Sequence, residues 1–98
     1  MNIMDCEICK REMELTEHHL IPKTRHLNKK TRKNYSLREL KKNVIMICRP
    51  CHDQLHKMFD GKQLEREFNT LDKILANEKI QGWIKFIEKK PIDYKPKW

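Results

Sequence analysis

The alternation of apolar and polar positions predicts two short strands in the first half of the chain. Residues 15–21 are partly apolar and are followed by Pro22, which has no backbone N–H to offer a sheet. Residues 44–47 form an apolar run that opens after Asn43. We therefore expect two strands joined by a long connection, with an exposed loop over residues 23–35.

Two helices are predicted on either side of the second strand. Ser36 can cap a short helix over residues 37–42, with Glu39 at the third helical position as in a capping box. Residues 50–59 begin with a proline, which suits the first turn of a helix, and Gly61 is a natural stop for it. The main elements are therefore expected in the order strand, strand, helix.

The later part of the chain predicts further helices. They are expected over residues 63–68, over residues 71–75 after a Thr70 cap, and over residues 78–89. In the last of these, apolar residues recur at positions i, i+3, i+4 and i+7, which places them on one face. A partner-binding groove is the alternative, but we expect packing roles for Leu64, Phe68, Leu71, Ile74, Leu75, Ile80, Trp83, Ile84 and Ile87.

The chain is small and highly charged, which limits the core that it can bury. Its 98 residues are 38% hydrophobic and 37% charged, and a domain of this size buries only about 60–65% of the surface of its unfolded chain. A metal or disulfide cross-link is therefore expected to contribute to stability. We expect one α+β domain with a core over residues 4–60, a helical extension over residues 61–90 and a basic tail over residues 91–98.

The basic tail combines aromatic and cationic side chains, namely Tyr94, Lys95, Lys97 and Trp98. Such side chains can stack on bases and bind the phosphate backbone of a nucleic acid. A frayed chain terminus is the alternative interpretation.

Four cysteines form two Cys-x-x-Cys pairs, Cys6 with Cys9 and Cys48 with Cys51. Two such pairs match the four tetrahedral sulfur ligands of a zinc ion, each at about 2.3 Å. Four protein ligands leave no open coordination position, so we expect a structural Zn²⁺ that ties the first pair to the start of the later helix. Redox-active cysteines or two disulfides are the alternatives.

Four of the five histidines are spaced to form a second metal site. His52 and His56 are four residues apart on a predicted helix, so both project from one face. His18 and His19 are neighbours near a strand end, where successive side chains point to opposite faces. One of these two is expected to be a third ligand and the other a general base. Three imidazoles with an open fourth position are typical of a catalytic metal, and ordinary surface or core histidines are the alternative.

Basic residues are concentrated in the connection between the two strands. The net charge is +8, and residues 20–43 contain nine basic side chains opposed only by Glu39. This clustering favours a polyanionic partner, because neutralised phosphates release condensed counterions. A solvated surface segment is the alternative. The side chains predicted to contact nucleic acid are Lys23, Arg25, Lys29, Lys30, Arg32 and Lys33.

Taken in order, these motifs resemble those of the HNH nuclease family, in particular members with a four-cysteine zinc site. The resemblance implies a ββα-metal (His-Me finger) fold, in which an antiparallel hairpin and a helix hold one divalent metal. That fold agrees with the predicted order of elements. The matching motifs are Cys6-x-x-Cys9, Glu17-His18-His19-Leu20-Ile21-Pro22, Asn43-Val44, Cys48-Arg49-Pro50-Cys51-His52 and His56.

The resemblance also implies a role for each residue of the predicted active site. His19 looks like the general base that deprotonates the attacking water, and His18, His52 and His56 look like ligands of the catalytic metal. Asn43 resembles the central asparagine of the family motif, which orients the general base rather than binding metal. The implied reaction is hydrolysis of DNA phosphodiester bonds to 5′-phosphate and 3′-hydroxyl ends.

Two departures from the family pattern bear on the metal and the substrate. His18 stands where many relatives have aspartate, and an all-imidazole site favours Zn²⁺, Ni²⁺ or Mn²⁺ over Mg²⁺. The basic connection after His19 is long and lacks the Gly-Gly that often follows the proline. We therefore expect one catalytic divalent ion, with Zn²⁺, Mn²⁺, Ni²⁺ and Mg²⁺ as the candidates.

The sequence favours a metal-dependent DNA endonuclease or nickase with little sequence specificity, since phosphate contacts position a protein without reading bases. A non-catalytic zinc-bearing nucleic-acid-binding module and a metal-sensing or metal-storage protein are the alternatives. His19 favours the enzyme, because the predicted metal site has three other histidine ligands.

The sequence also predicts the cellular setting. No apolar stretch approaches the roughly 20 residues that span a bilayer. The opening MNIMDCEICK lacks the continuous apolar core of a signal peptide. We therefore expect a soluble cytoplasmic protein without a membrane partner.

Overall fold

The computed structural model describes residues 3–96, so Lys97 and Trp98 of the predicted basic tail lie outside the described residues. The α+β class is confirmed: the described residues contain two small antiparallel sheets and several short helices. The elements in chain order are β1 (Ile3–Asp5), β2 (Glu12–Glu14), β3 (Thr16–His19), a 3-10 helix (Lys23–Arg25), α1 (Lys29–Asn34), α2 (Leu37–Lys42), β4 (Val44–Ile47), α3 (Arg49–Met58), α4 (Gly61–Glu67), α5 (Leu71–Leu75) and α6 (Glu78–Ile87).

The first hairpin, β1 with β2, was not predicted from the sequence. Met4 pairs with Met13, and the turn between the strands contains Cys6 and Cys9. Lys10 closes this turn with a φ of 66°, in the left-handed region that favours glycine. Because a lysine occupies that position, the sequence lacks the usual glycine signal for a turn.

The second hairpin and α3 form the predicted strand, strand, helix unit. β3 pairs antiparallel with β4, with His18 opposite Ile45 and His19 opposite Val44. β3 is shorter than the strand expected over residues 15–21, whereas β4 has the predicted bounds. α3 contacts β3, which brings one helix face against the histidine-bearing strand.

The prediction of an exposed loop over residues 23–35 was wrong, because much of this connection is helical. The 3-10 helix is followed by α1, whose N-terminus is capped by Asn28. The Asn28 side chain accepts hydrogen bonds from the backbone N–H groups of Lys30 and Thr31. A helix with basic residues on most of its surface lacks the apolar stripe by which helices are recognised in a sequence.

Polar contacts rather than apolar packing hold this connection to α4. The Arg25 Nε and the Thr31 hydroxyl both donate to Glu65 Oε1, each over 2.8 Å. Thr31 is fully buried, and the ion-paired side chains of Arg25 and Glu65 are only 17% and 12% exposed. One carboxylate therefore anchors both the 3-10 helix and α1.

The predicted helix caps are largely confirmed. Ser36 and Glu39 form the capping box of α2, with hydrogen bonds in both directions. Thr70 caps α5 by accepting from the Lys73 backbone N–H. These caps depend on neighbouring residues alone, which is why the sequence predicts them.

The prediction of Gly61 as the stop for α3 was wrong. α3 ends at Met58, where Phe59 takes an extended backbone with φ −130° and ψ 135°. Asp60 then caps α4 through a capping box with Gln63, so Gly61 is the first residue of the next helix. The chain changes direction between α3 and α4. At this point Phe59 is buried against Phe68, and their ring centroids are 4.0 Å apart.

One buried cluster connects the strand, strand, helix unit to the later helices. Its members from the later helices include Leu64, Phe68, Ile74, Ile80 and Ile87, all of them expected as packing residues, with Leu71, Trp83 and Ile84 packed at its edge. Tyr94 also packs against the cluster, so the predicted tail begins as ordered structure. No helix within residues 3–96 is long and apolar enough to cross a membrane.

Substitution of Glu65 tests whether its polar contacts hold the 3-10 helix and α1 on α4. Replacing Glu65 with alanine removes the acceptor of two hydrogen bonds and leaves Arg25 and Thr31 without it. We expect Glu65→Ala to lower the free energy of unfolding by about 2 kcal/mol in urea titrations. Glu67→Ala, an exposed carboxylate on the same helix, is the control and should change it by less than about 0.5 kcal/mol. Equal effects of the two substitutions would contradict the anchor.

Candidate active site and metal centres

The four cysteines meet in one buried cluster. Cys6 and Cys9 come from the β1–β2 turn, and Cys48 and Cys51 come from the junction of β4 with α3. The four sulfurs lie within 4.8 Å of one another, and the Cys9 and Cys48 sulfurs are 3.8 Å apart. Tetrahedral zinc with four thiolates at about 2.3 Å has sulfur separations of about 3.8 Å. The cluster therefore has the dimensions of a four-thiolate metal site.

Backbone and side-chain donors surround the sulfurs. The N–H groups of Ile8, Cys9 and Cys48 each point at the Cys6 sulfur over 3.4 Å. The Trp83 Nε1 donates to the Cys51 sulfur over 3.3 Å. Donors to sulfur stabilise the thiolate form, which is the form that binds a metal.

Arg11 links the cysteine cluster to the segment that follows α6. Its Nε lies 3.3 Å from the Cys9 sulfur and its Nη2 lies 3.6 Å from the Cys48 sulfur. Its Nη1 donates to the carbonyl oxygens of Lys90 and Pro91 over 3.3 and 3.0 Å. A guanidinium is an effective partner for a site with four thiolates and one divalent cation, because that site keeps a net negative charge. The sequence analysis missed this residue, since nothing in its local pattern marks it.

The cysteine pKa values show how the cluster behaves without a cation. Hydrogen bonds from Cys48 and then Cys51 lower the pKa of Cys6 to about 6. Hydrogen bonding with Cys48 raises the pKa of Cys51, because that thiol keeps its proton beside ionised neighbours. Four adjacent thiols cannot all ionise unless a cation compensates their charge. The cluster could therefore hold a cation, which would compensate the charge of the thiolates.

The second cluster lies where β3 meets α3. One ring nitrogen each of His18, His52 and His56 lies within 4.8 Å of the others. The ring centroid of His18 is 5.1 Å from that of His52 and 5.3 Å from that of His56. The helical spacing of four residues and the register of β3 together bring these rings to one point. The three side chains predicted as metal ligands are thus adjacent in space.

His18 shows that this cluster fits a cation. Its side chain is 1% exposed, and neither ring nitrogen has a hydrogen-bond partner within residues 3–96. Buried polar atoms without partners are rare, because each loses its bonds to water without replacement. A metal ligand bond would satisfy one of these nitrogens. Among the described residues, no donor or acceptor forms a hydrogen bond with either nitrogen.

Burial keeps these imidazoles neutral, as metal ligation requires. Burial and then the charge of His52 lower the pKa of His18 to about 3. Burial and then the charge of His56 lower the pKa of His52 to about 4. Burial is also the largest cause of the lowered pKa of His56. At neutral pH each ring therefore has one nitrogen lone pair available for a cation.

His19 lies apart from this cluster and lines an adjoining cleft of about 480 Å³. Burial and then the charge of Lys23 lower its pKa, so the ring is unprotonated at neutral pH and can accept a proton. The alternation of side chains along β3 separates it from buried His18. The cleft is lined by Glu17, His19, Pro22, Lys23, Thr24, His52, His56 and Gly61.

His26, the one histidine that the sequence analysis gave no role, contacts His19. The two ring centroids are 5.6 Å apart, and the His26 ring is buried. Its Nε2 donates to the Ile21 carbonyl oxygen over 2.8 Å. The ring is therefore held beside His19 by the backbone that follows β3.

Asn43 lies beside β3 at the end of α2. Its carbonyl oxygen accepts a hydrogen bond of 2.9 Å from the backbone N–H of Leu20, the residue that follows His19. Its own N–H donates to the Glu39 carbonyl oxygen over 3.0 Å. Asn43 thus connects the backbone next to His19 to α2, and its predicted role in orienting that ring stays a prediction.

The six cations predicted to bind nucleic acid fall into three groups. Lys23 is exposed and lines the cleft. Arg25 is engaged by Glu65 and is mostly buried, which leaves it little surface for a ligand. The other four lie on α1 with exposed side chains: Lys29, Lys30, Arg32 and Lys33.

Comparison with known proteins agrees with this geometry. The family model described as HNH endonuclease matches residues 6–58, which is more than half of the chain and includes both clusters. The protein therefore belongs to the HNH endonuclease family, which indicates a nuclease-type function on nucleic acid.

A search of curated proteins gives one further finding. The chain is similar to the protein described as "Uncharacterized protein YisB" of Bacillus subtilis (strain 168), with 29% identity over 87 residues. The matched region covers 88% of this chain and 75% of that protein. No solved structure matches the chain significantly.

The cysteine cluster predicts that a bound metal supports the fold. Exhaustive chelation should remove the far-ultraviolet circular dichroism of the native protein, because four converging thiols lose the cation that holds them together. Adding one equivalent of Zn²⁺ under reducing conditions should restore the signal. Full retention of the dichroism after the metal has been shown to be absent would overturn this prediction.

Proposed function

We propose that this protein is a metal-dependent DNA endonuclease or nickase that uses His19 as its general base. The observation that carries the proposal is that two neighbouring histidines of β3 have different surroundings. His18 is buried and meets the half-buried His52 and the exposed His56 on one side of the strand, whereas His19 next to it lines the cleft to which His52 and His56 are also open. A protein that only bound or stored metal would have no use for a separate, unprotonated imidazole at that position.

The histidine cluster provides the electrophilic side of the reaction. His18, His52 and His56 would hold one divalent ion, and Zn²⁺, Mn²⁺, Ni²⁺ and Mg²⁺ are the candidates. Such an ion, when bound, supplies Lewis-acid polarisation of the scissile phosphate and stabilises charge on the leaving 3′-oxygen. The four cysteines would hold a structural Zn²⁺.

The proton in the reaction moves to His19. Its ring is neutral at neutral pH and open to the cleft, so it can take the proton of a water molecule that attacks the phosphorus atom. Lys23 lines the same cleft and can bind a non-bridging phosphate oxygen. The products expected from this in-line attack are a 5′-phosphate and a 3′-hydroxyl.

α1 supplies the contacts that hold the DNA backbone near the cleft. Its exposed cations would bind phosphates, and phosphate contacts carry little sequence preference. Arg25 acts instead as a structural residue, because Glu65 occupies its guanidinium group. The proposal therefore narrows the predicted DNA contacts to Lys23 and the cations of α1.

Substitution of His19 tests the enzyme directly. Supercoiled plasmid is incubated with wild type or His19→Ala in Mg²⁺, Mn²⁺, Ni²⁺ or Zn²⁺, and nicked and linear DNA are followed over time. We expect wild type to nick in at least one metal and His19→Ala to be slower by about 10²–10⁴-fold, since a general base contributes that much. Added imidazole should restore part of the lost rate, and binding of DNA should be unchanged.

Two results would count against this assignment. Equal nicking by wild type and His19→Ala would remove His19 from the mechanism. Plasmid binding without nicking in any metal would favour a non-catalytic nucleic-acid-binding module instead.

Removal of charge from α1 tests the DNA surface. Lys29→Gln with Lys33→Gln removes two exposed cations one turn apart, and Lys79→Gln with Lys85→Gln removes two from α6 as a matched control. We expect the first pair to weaken DNA binding and to lower the slope of log K against log salt by about 0.9 for each lost phosphate contact. The control should change neither quantity by a comparable amount. Identical slopes for the two double variants would show that α1 is not the DNA surface.

A further inference from the structure

We propose that Thr16 is a positioning residue that fixes His52 in the tautomer able to bind a divalent cation. The proposal rests on the proposed function, because it treats the histidine cluster as a metal site. No sequence motif indicates Thr16, which is the first residue of β3. Its hydroxyl contacts two other elements of the strand, strand, helix unit.

The direction of the hydrogen bonds follows from the chemistry of the three groups. The Thr16 hydroxyl oxygen lies 2.8 Å from the Ile47 carbonyl oxygen and 2.8 Å from His52 Nδ1. A hydroxyl has one hydrogen, and a carbonyl oxygen can only accept. The Thr16 hydrogen is therefore committed to Ile47. Towards His52 the hydroxyl offers only a lone pair.

His52 must accordingly donate from Nδ1. A neutral imidazole has one N–H, so a hydrogen on Nδ1 leaves Nε2 with a free lone pair. Nδ1 is occupied by Thr16, which makes Nε2 the atom that can bind a cation beside His18 and His56. Hydrogen bonds to the second nitrogen of a ligand histidine set both its tautomer and the orientation of its ring.

The fold itself holds Thr16 in place. Thr16 is paired with Ile47 in the β3–β4 register, so the acceptor of its hydroxyl lies directly across the sheet. His52 is in the first turn of α3, immediately after Cys51 of the cysteine cluster. A change of strand register or of the start of α3 would break this arrangement. One hydroxyl therefore joins β3, β4 and α3 at the metal ligands.

Conservative substitutions at Thr16 separate positioning from packing. Thr16→Val keeps the shape of the side chain and removes the hydroxyl, and Thr16→Ser keeps the hydroxyl and removes a methyl group. With the cysteine cluster loaded with Zn²⁺, Co²⁺ is titrated into the full chain and its affinity for the histidine cluster is measured. His52→Ala identifies which binding event belongs to that cluster.

We expect Thr16→Val to weaken Co²⁺ binding by about 10–100-fold, the usual effect of losing such a partner, and Thr16→Ser to bind within a few-fold of wild type. The ¹⁵N shifts of the His52 ring provide a second measurement. In wild type without the second metal, Nδ1 should carry the hydrogen, and in Thr16→Val the two tautomers should both be populated.

Several results would overturn the proposal. Equal Co²⁺ affinity in wild type and Thr16→Val would do so, as would a wild-type His52 protonated on Nε2. The second result needs only the wild type, so the proposal can still be tested if the Thr16→Val protein fails to fold. Plasmid nicking is not a readout here, and an inactive wild type that still binds Co²⁺ would count against the proposed function alone.

Discussion

The convergence of four buried cysteines is the constraint on which the rest of the structure depends. Cys6 and Cys9 belong to a hairpin whose two strands have three residues each and bury little apolar surface. Their sulfurs meet those of Cys48 and Cys51 at the start of α3. Fixing Cys51 also fixes His52, the next residue, and His56 one turn later. Trp83 connects the same cluster to α6 through its bond to sulfur, and Arg11 connects it to the segment that follows α6. In a chain of 98 residues with a modest core, this site links elements that apolar packing alone would hold weakly.

The register of β3 converts that scaffold into two different chemical environments. His18 points into the protein, where burial keeps it neutral and leaves both ring nitrogens without partners. His19 points the other way and lines the cleft. Because neighbouring residues on a strand face opposite sides, a ligand and a base can be adjacent in sequence without competing for one metal. A shift of one residue in the β3–β4 register would exchange the two side chains.

The connection between the strands shows how a strongly charged segment can still be ordered. Glu65 accepts from Arg25 and Thr31, and this pair of bonds fixes the 3-10 helix and α1 on α4. All four cations of α1 are exposed. The electrostatic surface is therefore carried by a short helix rather than by a loop. Arg25 of the 3-10 helix, also predicted to contact nucleic acid, is ion-paired with Glu65.

What the sequence determined by itself was local or depended on simple periodicity. These features involve residues close together in the chain, so the sequence pattern is sufficient to predict them. They are the helix caps at Ser36 and Thr70, the strand Val44–Ile47 and the helical spacing of His52 and His56. The family resemblance added the separate roles expected of His18 and His19, and the HNH match over residues 6–58 confirmed the family. The tertiary structure decided the rest. The left-handed backbone of Lys10 is a feature that its side-chain type does not reveal. Three other features depend on residues brought together by the fold: the bond of Glu65 to Thr31, the contact of Arg11 with the Cys9 sulfur, and the contact of Thr16 with His52. Such contacts are set only when strands, helices and the cysteine cluster come together, because a single hydrogen bond between distant residues leaves no periodic signal in the chain.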